Sequence, residues 1–143
     1  MTSALERLAG PGKSLLAEPP DDKENEGLVR SARARLKDAK NPSNSLEGRF
    51  DLAYNAAHGF CLAALRKQGY RACNRYIVFQ VLPHTLGLGP EVWRVLAKGH
   101  EMRNLGEYEG DLDIDERFLS DFIAACGRVD AAFHAAAASK KVK

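Results

Sequence analysis

The apolar residues of this chain are shared out unevenly: 21 Ala and 17 Leu stand against 3 Ile, 7 Val and 2 Thr. Alanine and leucine give up little on entering a helix, whereas the β-branched residues suit a pleated sheet. The imbalance excludes an all-β fold and predicts an all-α one. With 143 residues the chain has room for one core and not for two. Global disorder is excluded as well, because 45% apolar residues at a formal charge of only +2 bury enough surface to offset chain entropy.

No stretch approaches the roughly 20 apolar residues that cross a bilayer, and the opening MTSALERLAGPGKS lacks the apolar run of a secretory signal. A cytoplasmic protein without membrane contact is expected. Cys61, Cys73 and Cys126 are odd in number and form no C-x-x-C, and Cys61 and Cys126 fall within apolar helical patterns, so they read as small buried hydrophobes. His58, His84, His100 and His134 have no ligand spacing, which argues against a metal. No cofactor signature is present.

Residues 1–22 form a short amphipathic stub interrupted by Gly10, Pro11, Gly12, Pro19 and Pro20, and are expected to be a loosely attached arm. A bundle follows over residues 23–138, with a basic tail at 139–143. Asp21 or Asp22 caps a first helix carrying Leu28, Val29, Ala32, Leu36 and Ala39, which ends before Asn41-Pro42. A second starts near Ser43 to Ser45 and runs towards Gly69, with Leu46, Phe50, Ala53, Ala57, Phe60, Cys61 and Ala64 spaced by threes and fours. The run Ile77 to Leu82 would suit a strand, but a lone strand has no partner for its backbone, so it reads as helix ending at or just after Pro83. Pro90 opens a helix to about residue 108, with Val92, Val95, Leu96, Gly99 and Met102 inward. In the last helix Asp113 and Glu116 resemble a capping box, and Ile114, Phe118, Phe122, Cys126, Val129 and Phe133 face inward. Short connections between these helices predict an antiparallel four- to five-helix bundle.

Three motifs fail on inspection. Gly12-Lys13-Ser14 lacks the earlier glycine and the preceding strand of a phosphate-binding loop; Arg7 stands where that glycine belongs. Asp111, Asp113 and Asp115 begin like a calcium loop, but Glu116 and Phe122 occupy the required glycine and closing-carboxylate positions. His100-Glu101 belongs to no zinc-binding H-E-x-x-H, since residue 104 is Asn.

Charge is more informative. The 39 residues from Leu52 to Pro90 contain no acid, yet hold Arg66, Lys67, Arg71 and Arg75. With Tyr70 and Tyr76 interleaved, Arg66, Lys67, Tyr70, Arg71 and Arg75 are candidates for holding phosphates and stacking a base. The alternative is that these charges solvate a helix face or pair with the eight acids between Glu101 and Asp121.

One arginine breaks the helical pattern. At about 100° per residue, Arg103 lies only about 20° round the helix from Val92, within the apolar stripe and between Gly99 and Gly106. An arginine there is costly unless paired, and the glycines let another backbone or a ligand approach. His100, Asn104 and Tyr108 follow at four-residue spacing along the same edge, which groups a cation, an amide, an imidazole and a phenol. The competing reading makes Arg103 a structural, buried ion-pair member in a non-catalytic protein-interaction module.

The segment Gly99-His100-Glu101-Met102-Arg103-Asn104-Leu105-Gly106-Glu107-Tyr108-Glu109-Gly110, after Leu52-Ala53-Tyr54-Asn55-Ala56-Ala57 and Gly69-Tyr70-Arg71, resembles the HEPN superfamily. That resemblance implies a small helical bundle, often a homodimer, of prokaryotic toxin–antitoxin or defence systems, with a nucleotidyltransferase or antitoxin as partner. The family's signature is Arg, a polar residue, then His after a short spacer. Arg103 and Asn104 match its first two positions, and Tyr108 stands where the His is expected. The resemblance thus implies RNA or nucleotide binding by Arg103, Asn104 and Tyr108. Metal-independent ribonuclease activity would need another base, and His100 is the nearby imidazole. Tyrosine, with a pKa near 10, is a poor base at neutral pH.

Overall fold

The computed structural model describes residues 3–109 and 114–142, with the side chains of 3–106 and 114–137. The chain is an all-α bundle of four long helices: α2 (Asp22–Ala39), α3 (Leu46–Lys67), α6 (Pro90–Glu109) and α7 (Glu116–Val142). Short elements complete it: α1 (Ala4–Leu8), α4 (Ile77–Gln80), α5 (Leu82–Thr85), and the strands β1 (Leu15–Ala17) and β2 (Tyr70–Ala72).

The helix starts follow the capping residues in the sequence. The Asp21 carboxylate accepts from the Glu24 amide at 3.1 Å, and Ser45 Oγ accepts from the Gly48 amide at 3.0 Å. At α7 the cap is Asp115, whose carboxylate accepts from the Phe118 amide at 2.7 Å. The capping role expected of Asp113 lies outside the described residues. The run from Ile77 is helical, in two short turns that join at Val81 rather than in one helix.

Cross-helix contacts give the directions. Asn25 donates to the Ala63 carbonyl and Arg49 to the Ala39 carbonyl, so α3 runs back along α2. Arg103 meets Asp51 and His100 meets Tyr54, so α6 opposes α3. Arg128 meets Glu91 and Gly99 meets Phe122, so α7 opposes α6. The result is an up-down-up-down bundle. Its centre is α3, where Phe50, Ala53, Tyr54, Ala57, Phe60, Cys61 and Leu65 are buried against Phe79, Leu96, Phe122, Cys126 and Val129.

The N-terminal arm is docked, not loosely attached. β1 pairs antiparallel with β2, Leu15 opposite Ala72 and Ala17 opposite Tyr70, and Leu5 and Leu15 are buried. The strands supply for each other the backbone partners that a lone strand would lack. Arg66 fixes the arm from below. It is 1% exposed; its guanidinium donates to the Glu24 carboxylate at 2.7 Å and to the carbonyls of Pro19 and Glu18 at 2.7 and 3.0 Å. Arg71 closes the same network on Glu18 (2.6 Å) and Glu24 (2.9 Å). Hydrogen bonds from Arg66 hold the Glu24 carboxyl below its ordinary pKa. No helix among the described residues is long and apolar enough to cross a membrane.

Candidate functional site

The α3–α6 crossing brings together polar residues that sit in otherwise apolar stripes. Tyr54 is fully buried on α3, and its hydroxyl meets His100 Nδ1 of α6 at 2.8 Å. On the far side of the imidazole, the Asn104 amide lies 3.1 Å from Nε2. With Asn104 donating, Nε2 is the acceptor and Nδ1 carries the proton that it donates to Tyr54 Oη. The ring is further enclosed by Tyr54, Tyr76 and Phe79, with centroids 5.4–6.1 Å away. His100 is therefore oriented by its neighbours, with both nitrogens engaged.

Arg103 lies at the mouth of this arrangement. Its guanidinium stands 4.8 Å from the Tyr54 ring centroid, a cation–π contact, and 3.6 Å from the Asp51 carboxylate. Its side chain is 25% exposed and that of Asp51 59% exposed. A partly exposed pair at that distance contributes about 0–1 kcal/mol. Gly99 serves packing, because the Phe122 ring fills the space its side chain would take.

The basic segment from Arg66 to Arg75 divides. Arg66 is a correction to the sequence reading: it is buried under the arm and its donors are consumed there. Arg71 is bound to Glu18 and Glu24, and Lys67 lies 5.0 Å over the Phe133 ring beside α7, away from Arg103. Tyr70 is a half-buried member of β2 whose carbonyl accepts from Arg66. Arg75 alone joins the site: it is exposed, and its guanidinium is 5.9 Å from the same Tyr54 ring. The side chain of Tyr108 lies outside the described residues.

Sequence reasoning missed Asp51, Tyr54 and His58 of α3. A signal was present, since polar side chains at spacings of three and four inside an apolar stripe mark a shared face. His58 packs its edge on Phe79, with centroids 6.4 Å apart. Burial first, then electrostatic interaction with Arg75, His100 and Arg103, pushes its imidazole down to about 4. An unfolded His58 titrates near 6.5, so the unfolded chain binds more protons than the folded one between those values. Stability is thus full above the unfolded pKa and falls with pH towards the folded one. Lowering the pH from 7 to 5 should cost about 1–2 kcal/mol through this residue, allowing for its partial exposure. Urea unfolding of wild type and His58→Gln at both pH values tests this; equal losses in the two proteins would refute it.

Among the described residues, no group of three His, Cys, Asp or Glu side chains is placed to hold a metal. Cys61 and Cys126 are buried thiols, each with its pKa raised by burial, and Cys73 is exposed. Comparison of the chain with known protein families, with curated proteins and with solved structures gives no match.

Proposed function

We propose that this chain is a HEPN-like RNA- or nucleotide-binding bundle, a cytoplasmic toxin–antitoxin or defence component working as a homodimer, with a nucleotidyltransferase or antitoxin as partner. The observation that carries the reading is the pair of arginines on one buried aromatic ring: Arg103 and Arg75 both lie within 6 Å of the Tyr54 centroid. A hydrogen-bonded Tyr54–His100–Asn104 chain supports that ring from behind. Guanidinium groups fixed by stacking lose little freedom on binding phosphate, which is what an anion site requires.

In this reading Arg103 contacts a phosphate, Asn104 holds His100 in register, and Tyr108 contributes a stacking or donating phenol from the next turn. Binding is better supported than cleavage. A ribonuclease needs an imidazole ready to take a proton from the ribose hydroxyl, whereas both nitrogens of His100 are committed to Tyr54 and Asn104.

Arg103→Ala should weaken binding of a short oligoribonucleotide about tenfold, the value of one charge-assisted phosphate contact of roughly 1.4 kcal/mol. Fluorescence anisotropy at fixed salt measures it. Unchanged affinity in a variant with wild-type circular dichroism would overturn the reading.

A further inference from the structure

A groove of about 270 Å³ lies beside Arg75, lined by His58 and Leu62 of α3 and by the segment Arg71 to Arg75. Three of its polar residues are already assigned. Arg71 is held by Glu18 and Glu24, Asn74 accepts from the Ile77 amide at the start of α4, and the Cys73 amide donates to the Ser14 carbonyl. Two are not. Arg75 pairs with no carboxylate among the described residues, and His58 makes no hydrogen bond among them. The groove has no acid of its own, since it falls wholly within the acid-free stretch from Leu52 to Pro90.

A cation and a hydrogen-bonding imidazole that share a groove without an acid form half of an anion site. Its volume is below the range of about 300–1,000 Å³ that takes a whole small ligand, so it suits one group of a larger molecule. Arg75 of this groove and Arg103 both border the Tyr54 ring, which places the groove next to the site described above. An internal phosphodiester carries one negative charge and Arg103 can satisfy it. A terminal monoester carries close to two at neutral pH and needs further donors.

We infer that this groove receives the terminal phosphate monoester of the bound RNA or nucleotide, with Arg75 as its cation and the His58 N–H as its second donor. The inference rests on the proposed RNA- or nucleotide-binding function and adds a preference that Arg103 alone does not supply. No bond is made or broken; Arg75 and His58 act by binding.

The test compares one oligoribonucleotide sequence carrying a phosphate at its 5′ end, at its 3′ end, or at neither, with adenosine monophosphate as competitor. The intact chain should bind one phosphorylated form about tenfold tighter than the hydroxyl-ended form, as expected for charge-assisted hydrogen bonds. His58→Gln should bring that preference to within about twofold while leaving affinity for the hydroxyl-ended strand unchanged, and Arg75→Gln should bring it to within about twofold while also weakening the hydroxyl-ended strand. Competition by the mononucleotide that is lost in Arg75→Gln would place a free nucleotide in the same groove. Equal affinity of the intact chain for all three strands, with no competition, overturns the terminal-phosphate groove and leaves the Arg103 reading standing. Absence of binding by any of them overturns both. A preference that survives in both variants, with their circular dichroism unchanged, also overturns the groove.

Discussion

Arg66→Ala is expected to destabilise the protein by about 3–4 kcal/mol, whereas Arg71→Ala, at the same two carboxylates, should cost less than about 1 kcal/mol. The difference follows from burial. Arg71 is 39% exposed in its side chain, so water replaces what it loses. The Arg66 side chain is 2% exposed, and its removal strands the carbonyls of Glu18 and Pro19 and leaves an unfilled volume. Arg71 remains to cover the two glutamates, which keeps the cost at the lower end of what breaking a buried pair produces. Urea unfolding of the two single variants decides the matter, and similar losses for both would contradict it. Arg66→Met, which keeps most of the volume, separates packing from hydrogen bonding.

Gly99→Ala should destabilise by about 2 kcal/mol, against the usual direction for glycine within a helix. Alanine is favoured over glycine there by about 1 kcal/mol, but overpacking a core costs about 1–3 kcal/mol and sometimes more. Here overpacking wins. A Cβ at this position would overlap the edge of the Phe122 ring, whose Cδ2 would be 2.8 Å away. Movement of the ring is restricted by Phe50, 5.2 Å from it, and Phe118, 6.1 Å away, centroid to centroid. In the Gly99→Ala background, Phe122→Leu should therefore cost less than it does alone. Thermal unfolding of the two single variants and the double variant measures that coupling, and strict additivity would show that the two positions do not compete for space.

These two positions also show what can be read from a sequence. Gly99 stands out in the apolar stripe of α6, but its reason is a phenylalanine 23 residues later, and only the packing of α7 names it. Helix starts at Asp21 and Ser45 were legible because a cap is local: side chain and amide lie three residues apart. Arg66, Arg71 and Arg75 look alike in sequence and have three different fates, since each is decided by a partner on another element. Arg103 was conspicuous for breaking the helical pattern; its setting on Tyr54 and Asp51 depends on the crossing of α3 and α6. The β1–β2 pair was invisible because three residues are too few to show a period of two, and Gly12, Pro19 and Pro20 around β1 read as interruption.

The pairing of β1 with β2 moves the limit of the domain. The change of composition near residue 22 invites a cut there, yet the interior does not end at that point: Leu15 is completely buried and the Arg66 guanidinium takes two of its acceptors from Glu18 and Pro19. A chain trimmed to start at α2 would keep all four long helices and the Glu24 partner of Arg66, while leaving that buried guanidinium short of its Glu18 and Pro19 acceptors and the leucine socket empty. The smallest unit that closes its own core begins with the helix that holds Leu5.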